Sequence, residues 1–204
     1  MTRKHTRTRI EDIRRKELIT AAHRVFLQHG LGGMTTKRIC EAAGMSPGIL
    51  SYYFNGKEDV LYAMVRWNNR VLMDEVVAGM NRAQTGWQRL QAIVAGNFPA
   101  SHFDPTVANA WLSVCAASAN NPRYARLQHI FYQRLGSNLS SVFAAHLPPP
   151  DLRDLTLTTS ALIDGLWLRR ATGFALTPAA AAALVLTRIE AMIDPDLRAR
   201  LDLA

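Results

Sequence analysis

What most restricts the fold of this chain is a helical apolar period, broken again and again by glycine and proline. Ile10, Ile13, Leu18, Ala22, Val25 and Phe26 recur at three- and four-residue spacing, and Gly30 supplies a stop. Thr35 or Thr36 can cap a short helix from Lys37 to Ala43, which Gly44 ends. Ser46-Pro47 places a capping hydroxyl before a proline at the first helical position, where its missing N–H costs nothing. That third helix is expected to turn Ile49, Leu50, Tyr53 and Phe54 inward and to stop near Asn55-Gly56.

Glu58 and Asp59 suit the positive end of a long fourth helix over residues 57–81, with Leu61, Met64, Val65, Asn68, Leu72 and Val76 as its buried stripe. Further helices are expected at 87–98, 105–119, 122–146, 151–173 and 178–193, separated at Pro99, Pro105, Pro122, Pro148-Pro149-Pro150 and Pro178. Residues from Asp194 onward are expected to fray. No segment alternates convincingly as a strand, and no solenoid period repeats. The expected fold is all-α: a three-helix helix-turn-helix domain with its N-terminal arm over residues 1–56, then a helical bundle over 57–204. The total is about nine helices.

At 204 residues the chain can bury a sizeable core. Cys40 and Cys115 cannot build a disulfide framework and lack partners at metal-site spacing, so neither a metal nor a cofactor is expected. The opening residues lead into charge and not into an apolar stretch, and no window reads as a membrane span. A cytoplasmic protein without membrane contact is the expectation.

The formal net charge is +8, and it is polarised. Residues 1–57 hold 11 basic and 4 acidic side chains, and no lysine follows Lys57. A small part that meets a polyanion and a larger part with another task fit that asymmetry. Arg3, Lys4, Arg7 and Arg9 read equally well as a solvated tail or a nucleic-acid arm.

Residues 35–54 set two short helices around the turn Ala43-Gly44-Met45-Ser46, with small Ala42 and Ala43 where the helices cross and Gly44 free to turn left-handed. In such a unit the second helix enters the DNA major groove and the first crosses the backbone. An ordinary helical hairpin would share the spacing; the basic charge favours the DNA reading. The contact residues expected are Thr36, Lys37 and Arg38 at the start of the first helix, and Ser46, Pro47, Gly48, Ser51, Tyr52 and Tyr53 on the second. Lys57, at the next helix N-terminus, suits a phosphate.

Here the sequence resembles a known family. The run Ile19-Thr20-Ala21-Ala22, Phe26, Gly30, Thr35-Thr36, Ile39 to Ser46, Gly48-Ile49-Leu50, Tyr53-Phe54, Lys57-Glu58 and Leu61 is similar to the DNA-binding domain of TetR-type transcriptional repressors. Ser51 departs from the aromatic common in that family. The body resembles the BetI-type subgroup, choline-responsive repressors of glycine betaine synthesis, above all along Ala161 to Arg169. The segments Leu90 to Phe98, Ala110-Trp111-Leu112 and Arg126-Leu127-Gln128 are similar too. The resemblance implies a homodimer pairing through residues 151–193, one recognition helix per half of a near-palindromic double-stranded operator, and release by a small-molecule effector.

Chemistry permits the implied effector. A quaternary ammonium ion has no N–H donor and is held by aromatic faces and a nearby carboxylate. Asp164 and Trp167 lie three apart on one helical face, Phe98, Trp111 and Phe131 lie on other helices, and Asn97 could meet a hydroxyl. Phe103 and Tyr132 are further aromatics that could line the same space. Each aromatic could equally be core, and Asp164 could pair with Arg134, Arg169 or Arg170 or sit at a subunit contact. A regulator of efflux or catabolism with an unrelated hydrophobic ligand is the alternative. An enzyme is disfavoured, since no nucleophile-elbow, metalloprotease, phosphate-loop or dinucleotide pattern occurs.

Overall fold

The computed structural model describes residues 2–203, with side chains from Ile10 onward; the side chains of Arg3, Lys4, Arg7 and Arg9 lie outside the described residues. Every regular element among the described residues is a helix. The chain divides into two compact units, Met1–Asn68 and Asn69–Ala204.

In the first unit, α1 (Thr2–Gly33) is interrupted at Gly30, whose φ of 63° only glycine takes readily. α2 (Thr36–Ala43) and α3 (Pro47–Tyr53) follow, and α4 (Lys57–Arg82) begins in this unit and continues into the second. Leu18, Ala22, Val25 and Phe26 of α1 are buried, as are Ile39, Leu50, Phe54, Leu61 and Met64. Three expectations of burial fail. Ile10 and Ile13 are about half exposed, because α1 is 32 residues long while α2 and α3 have 8 and 7 and cannot cover it all. Ile49 is exposed as well; α3 has only two turns, and Leu50 and Phe54 take its inner side.

The second unit packs the rest of α4 with α5 (Gly86–Gly96), α6 (Pro105–Ser118), α7 (Pro122–Phe143), α8 (Pro149–Ala171), α9 (Pro178–Met192) and α10 (Pro195–Leu203). Its starts follow from capping. The side chains of Thr85, Asp104, Asn121 and Thr177 accept first-turn N–H groups, and proline occupies the first turn of α6, α7, α8 and α9. One core runs through the unit, from Met73 and Val76 on α4 through Phe98, Leu139, Leu155 and Trp167 to Val185, Ile189 and Leu201.

Among the described residues there are thus ten helices and not nine, because the residues after Asp194 fold. Asp194 Oδ1 accepts the Asp196 N–H at 2.7 Å, and Leu197 and Leu201 are buried. The guanidinium of Arg198 lies 3.6 Å from the centre of the Trp87 ring and pairs with Glu190 at 3.1 Å and with Asp202. Gly86 leaves room for α10: a Cβ there would stand 2.8 Å from Leu201 Cδ2.

Candidate nucleic-acid interface and effector site

The turn between α2 and α3 is set by backbone chemistry. Gly44 adopts φ 65° and ψ 35°, its N–H reaches the Cys40 and Glu41 carbonyls, and the Met45 N–H meets the Cys40 carbonyl at 2.9 Å. At the other end of α2, Thr35 accepts the Arg38 N–H at 3.2 Å. Ser46 precedes α3 with its hydroxyl unused by any capping bond. Ser46, Pro47, Gly48, Ser51 and Tyr52 are all exposed, and Tyr53 is half-buried with its ring 4.9 Å edge-on from Tyr52. Lys57 is exposed at the start of α4, where free N–H groups add to its charge.

The remaining expected contacts are tied down in part. Thr36 is half-buried. Lys37 stands 4.0 Å from Glu41, one turn on, and both are largely exposed. Arg38 donates from Nη1 to the Gly33 carbonyl at 2.6 Å. Tyr52, 64% exposed, donates its hydroxyl to Oε1 of Glu11 at 3.2 Å. Glu11 was not legible as part of this surface, since a pair 41 residues apart leaves no spacing signal.

In the body, most of the expected aromatic residues meet one another. Phe103 stands 5.2 Å from Phe98 and 5.0 Å from Trp167, both edge-on, and Trp111 lies 6.0 Å from Trp167. Phe98 and Trp167 are buried, whereas Trp111 and Phe131 are half-buried. Phe131 packs on Tyr132 at 5.7 Å. Asn97 is buried, and its amide donates to the Ile93 carbonyl at 2.8 Å. Its own carbonyl accepts the Trp167 indole N–H at 3.1 Å.

Asp164 takes a hydrogen bond from the Tyr132 hydroxyl at Oδ2, 2.7 Å away, rather than an arginine. Its Oδ1 is buried and has no hydrogen-bond partner among the described residues. Burial pushes the carboxyl above its ordinary range, and the tyrosine hydroxyl only partly offsets that. The neighbours respond in turn. Burial first, then the Asp164 charge, raises the Cys115 thiol to about 12, although Gln128 donates to its sulfur at 2.7 Å. Tyr132 is raised by burial and by its bond to Asp164.

Tyr132 and Asp164 also line a groove of about 940 Å³ between α7 and α8, walled by Leu147, Pro149, Leu152, Arg153, Leu157 and Ala161 among others. Of the six residues expected to meet an effector, Asp164 alone lines that groove. Arg153 is a groove residue that nothing in the sequence spacing marks.

Residues 18–64 match the N-terminal domain of bacterial regulatory proteins of the tetR family, and residues 87–194 match the C-terminal domain of BetI-type transcriptional repressors. The HTH-type transcriptional regulator BetI of Escherichia coli strain K12 is 38% identical over 164 residues, which span 79% of this chain and 84% of that protein. The BetI regulator of Shigella flexneri serotype 5b gives the same figures. Among solved structures, a transcriptional regulator of Pseudomonas aeruginosa PAO1 aligns with a TM-score of 0.78 at 22% identity, covering 93% of this chain and 94% of that one. A regulator of Saccharomonospora viridis, solved in complex with choline, aligns with a TM-score of 0.71 at 22% identity over 89% of this chain and 96% of its own. Likenesses at that identity speak for the fold.

Proposed function

This chain belongs to the TetR family of transcriptional regulators, with a BetI-type C-terminal domain, and is no enzyme; on that premise we propose that it is a homodimeric operator-binding repressor released by choline or a related quaternary ammonium cation. Residues 1–56 bind the operator and 57–204 bind the effector and the second copy.

The observation that carries the effector reading is the orphaned Asp164 Oδ1. An isolated, partly desolvated carboxylate is costly, and a cation relieves it. A quaternary ammonium suits the position because it needs no acceptor geometry. The ring of Tyr132 stands at the carboxylate, and Trp167 follows one turn along α8. The choline-bound structural neighbour supports the same class. Trp111, Phe131, Phe98 and Asn97 complete the proposed cage, the last two as its buried backing.

One observation favours a second effector class. The groove beside Asp164 has apolar walls, and its volume of about 940 Å³ falls within the roughly 300–1,000 Å³ of small-molecule pockets, so it could seat a larger hydrophobic ligand.

At the operator, Ser46, Pro47, Gly48, Ser51, Tyr52 and Tyr53 face the groove and its edges, while Thr36, Lys37, Arg38 and Lys57 meet phosphates. Dimerisation is supported by the apolar side chains that α8 and α9 leave exposed: Leu157, Leu168, Leu184 and Met192. Leu155 and Ile189 on the same two helices, and Ile193 at the end of α9, are buried within the chain's own core.

Calorimetric titration with choline and with its neutral isostere 3,3-dimethylbutanol tests the proposal. Binding of choline and not of the isostere is the expected result. Equal binding of both would overturn the carboxylate's role and favour the hydrophobic-ligand reading.

A further inference from the structure

Helix α3 ends in a pair of tyrosines, and the exposed one is held at both ends of its side chain. Tyr53 is half-buried and meets the Tyr52 ring edge-on at 4.9 Å. The tip of Tyr52 reaches back to α1, where its hydroxyl donates to Oε1 of the half-buried Glu11 at 3.2 Å. A carboxylate has no hydrogen to give, so the proton in that bond is the phenol's. Tyr52 has only one such proton. With it directed at Glu11, the phenol oxygen offers solvent an acceptor and no donor.

Glu11 is an unusual residue for a surface that meets DNA. Residues 1–57 carry four acidic side chains against 11 basic ones. Glu17 and Glu41 each lie beside a cation of their own helix, Arg14 at 3.0 Å and Lys37 at 4.0 Å. Glu11 instead reaches the tip of α3, 41 residues on. A carboxylate there repels a phosphate, and a phenol whose proton is taken has nothing to donate to one. The tip of Tyr52 is therefore suited to a base edge that presents a donor and no acceptor. In the major groove guanine shows two acceptors, thymine one acceptor, adenine a donor beside an acceptor, and cytosine a donor alone.

We propose that Glu11 sets the direction of the Tyr52 hydroxyl, and that Tyr52 thereby accepts the N4–H of a cytosine in each half of the operator. The inference rests on the operator reading above. Tyr52 is the contact residue. Glu11 is a positioning residue that acts through it and touches no base.

The test uses the full-length protein and a pool of duplexes of randomised sequence. Each base pair of the selected half-site is then replaced in turn, and Kd is read by fluorescence anisotropy at fixed salt. The unaltered protein is expected to hold one C·G pair per half-site whose replacement by G·C or T·A weakens binding about fivefold or more, with A·T intermediate. Tyr52→Phe removes one exposed oxygen and keeps the ring; the preference at that pair alone should fall to within about twofold. Glu11→Ala frees the phenol proton for a guanine or thymine acceptor, so the same pair loses its discrimination. Glu11→Gln still offers the phenol an amide oxygen and should keep it. Both Glu11 variants lose one negative charge, so a general gain in affinity is common to them. Only the difference between them reads the hydrogen bond.

A base preference that survives Tyr52→Phe at every position, or a Tyr52-dependent preference for a base other than cytosine, overturns the base assignment. That variant decides it even if Glu11→Ala fails to fold. No loss of discrimination in Glu11→Ala, or equal loss in Glu11→Ala and Glu11→Gln, overturns the role of Glu11 and leaves the operator reading intact. Failure of the unaltered protein to select any duplex overturns the operator reading, and this inference with it.

Discussion

Replacing Asp164 by Asn separates the cost of the carboxylate from its use. Asn keeps an acceptor for the Tyr132 hydroxyl, now 2.7 Å from Oδ2, and removes the charge from a position where Oδ1 is buried without a partner. A buried unsatisfied group costs about 1–3 kcal/mol, and more when charged. Asp164 is only partly buried and Asn still leaves a polar atom there, so a net gain of about 1 kcal/mol is expected. For a chain of this size that gain raises Tm by about 2–4 °C. The sign of the pH dependence follows from the raised carboxyl. The folded state holds the proton more tightly than the unfolded state, so the unaltered protein loses stability as pH rises from the ordinary carboxylate range through the raised one. The advantage of Asp164→Asn is therefore absent in strong acid, grows across that window and is constant above it.

Choline reverses the order. At about 100 times its Kd it stabilises the unaltered protein by about 2.7 kcal/mol, and a variant with tenfold weaker affinity retains about 1.4 kcal/mol. Choline affinity itself rises with pH through the Asp164 titration, since only the carboxylate attracts the cation. Thermal melts from acid to neutral pH, with and without choline, read all of this. A variant that melts below the unaltered protein at neutral pH, a difference that persists in strong acid, or an undiminished choline shift would each refute the reasoning.

Other outcomes follow from single contacts. Lys57→Ala should weaken operator binding and reduce the slope of log affinity against log salt by about one, read by anisotropy across a salt series; an unchanged slope removes Lys57 from the phosphate contacts. Leu184→Glu puts a charge on the exposed apolar face of α9 and should yield monomers in analytical ultracentrifugation, whereas a persistent dimer would place the interface elsewhere. Arg198→Ala removes the cation stacked on Trp87 and two ion pairs, so a loss of about 1 kcal/mol is expected in urea melts followed by tryptophan fluorescence. No loss would make α10 an ornament of the fold.

The local grammar of the chain was legible where one residue decides a conformation. Gly44 marked the turn, Thr35 and Pro47 marked the starts of α2 and α3, and the prolines marked nearly every later helix. Ile10, Ile13 and Ile49 misled, because periodicity says that an apolar face exists and not whether a neighbour is long enough to cover it. The last helix was missed because its stability comes from Leu197, Leu201 and the Arg198–Trp87 stack, contacts with parts of the chain far away in sequence. The same holds at the candidate site. Asp164 was legible as an anomaly within the apolar run Ala161 to Leu168. Its partner was not, since Tyr132 sits 32 residues away on another helix while Arg169 and Arg170 offered charge nearby in sequence. The aromatic inventory was legible as well, but only packing tells that Phe98, Phe103 and Trp167 lean on one another while Tyr132 turns to the groove.

The central claim is that a choline-type cation loosens this protein's hold on DNA. The most direct measurement is fluorescence anisotropy of labelled DNA from upstream of the protein's own gene, at fixed salt, titrated with protein in the presence and absence of choline. The account predicts tight binding that choline weakens by about fivefold or more. Tight binding with the same Kd in both titrations would contradict it.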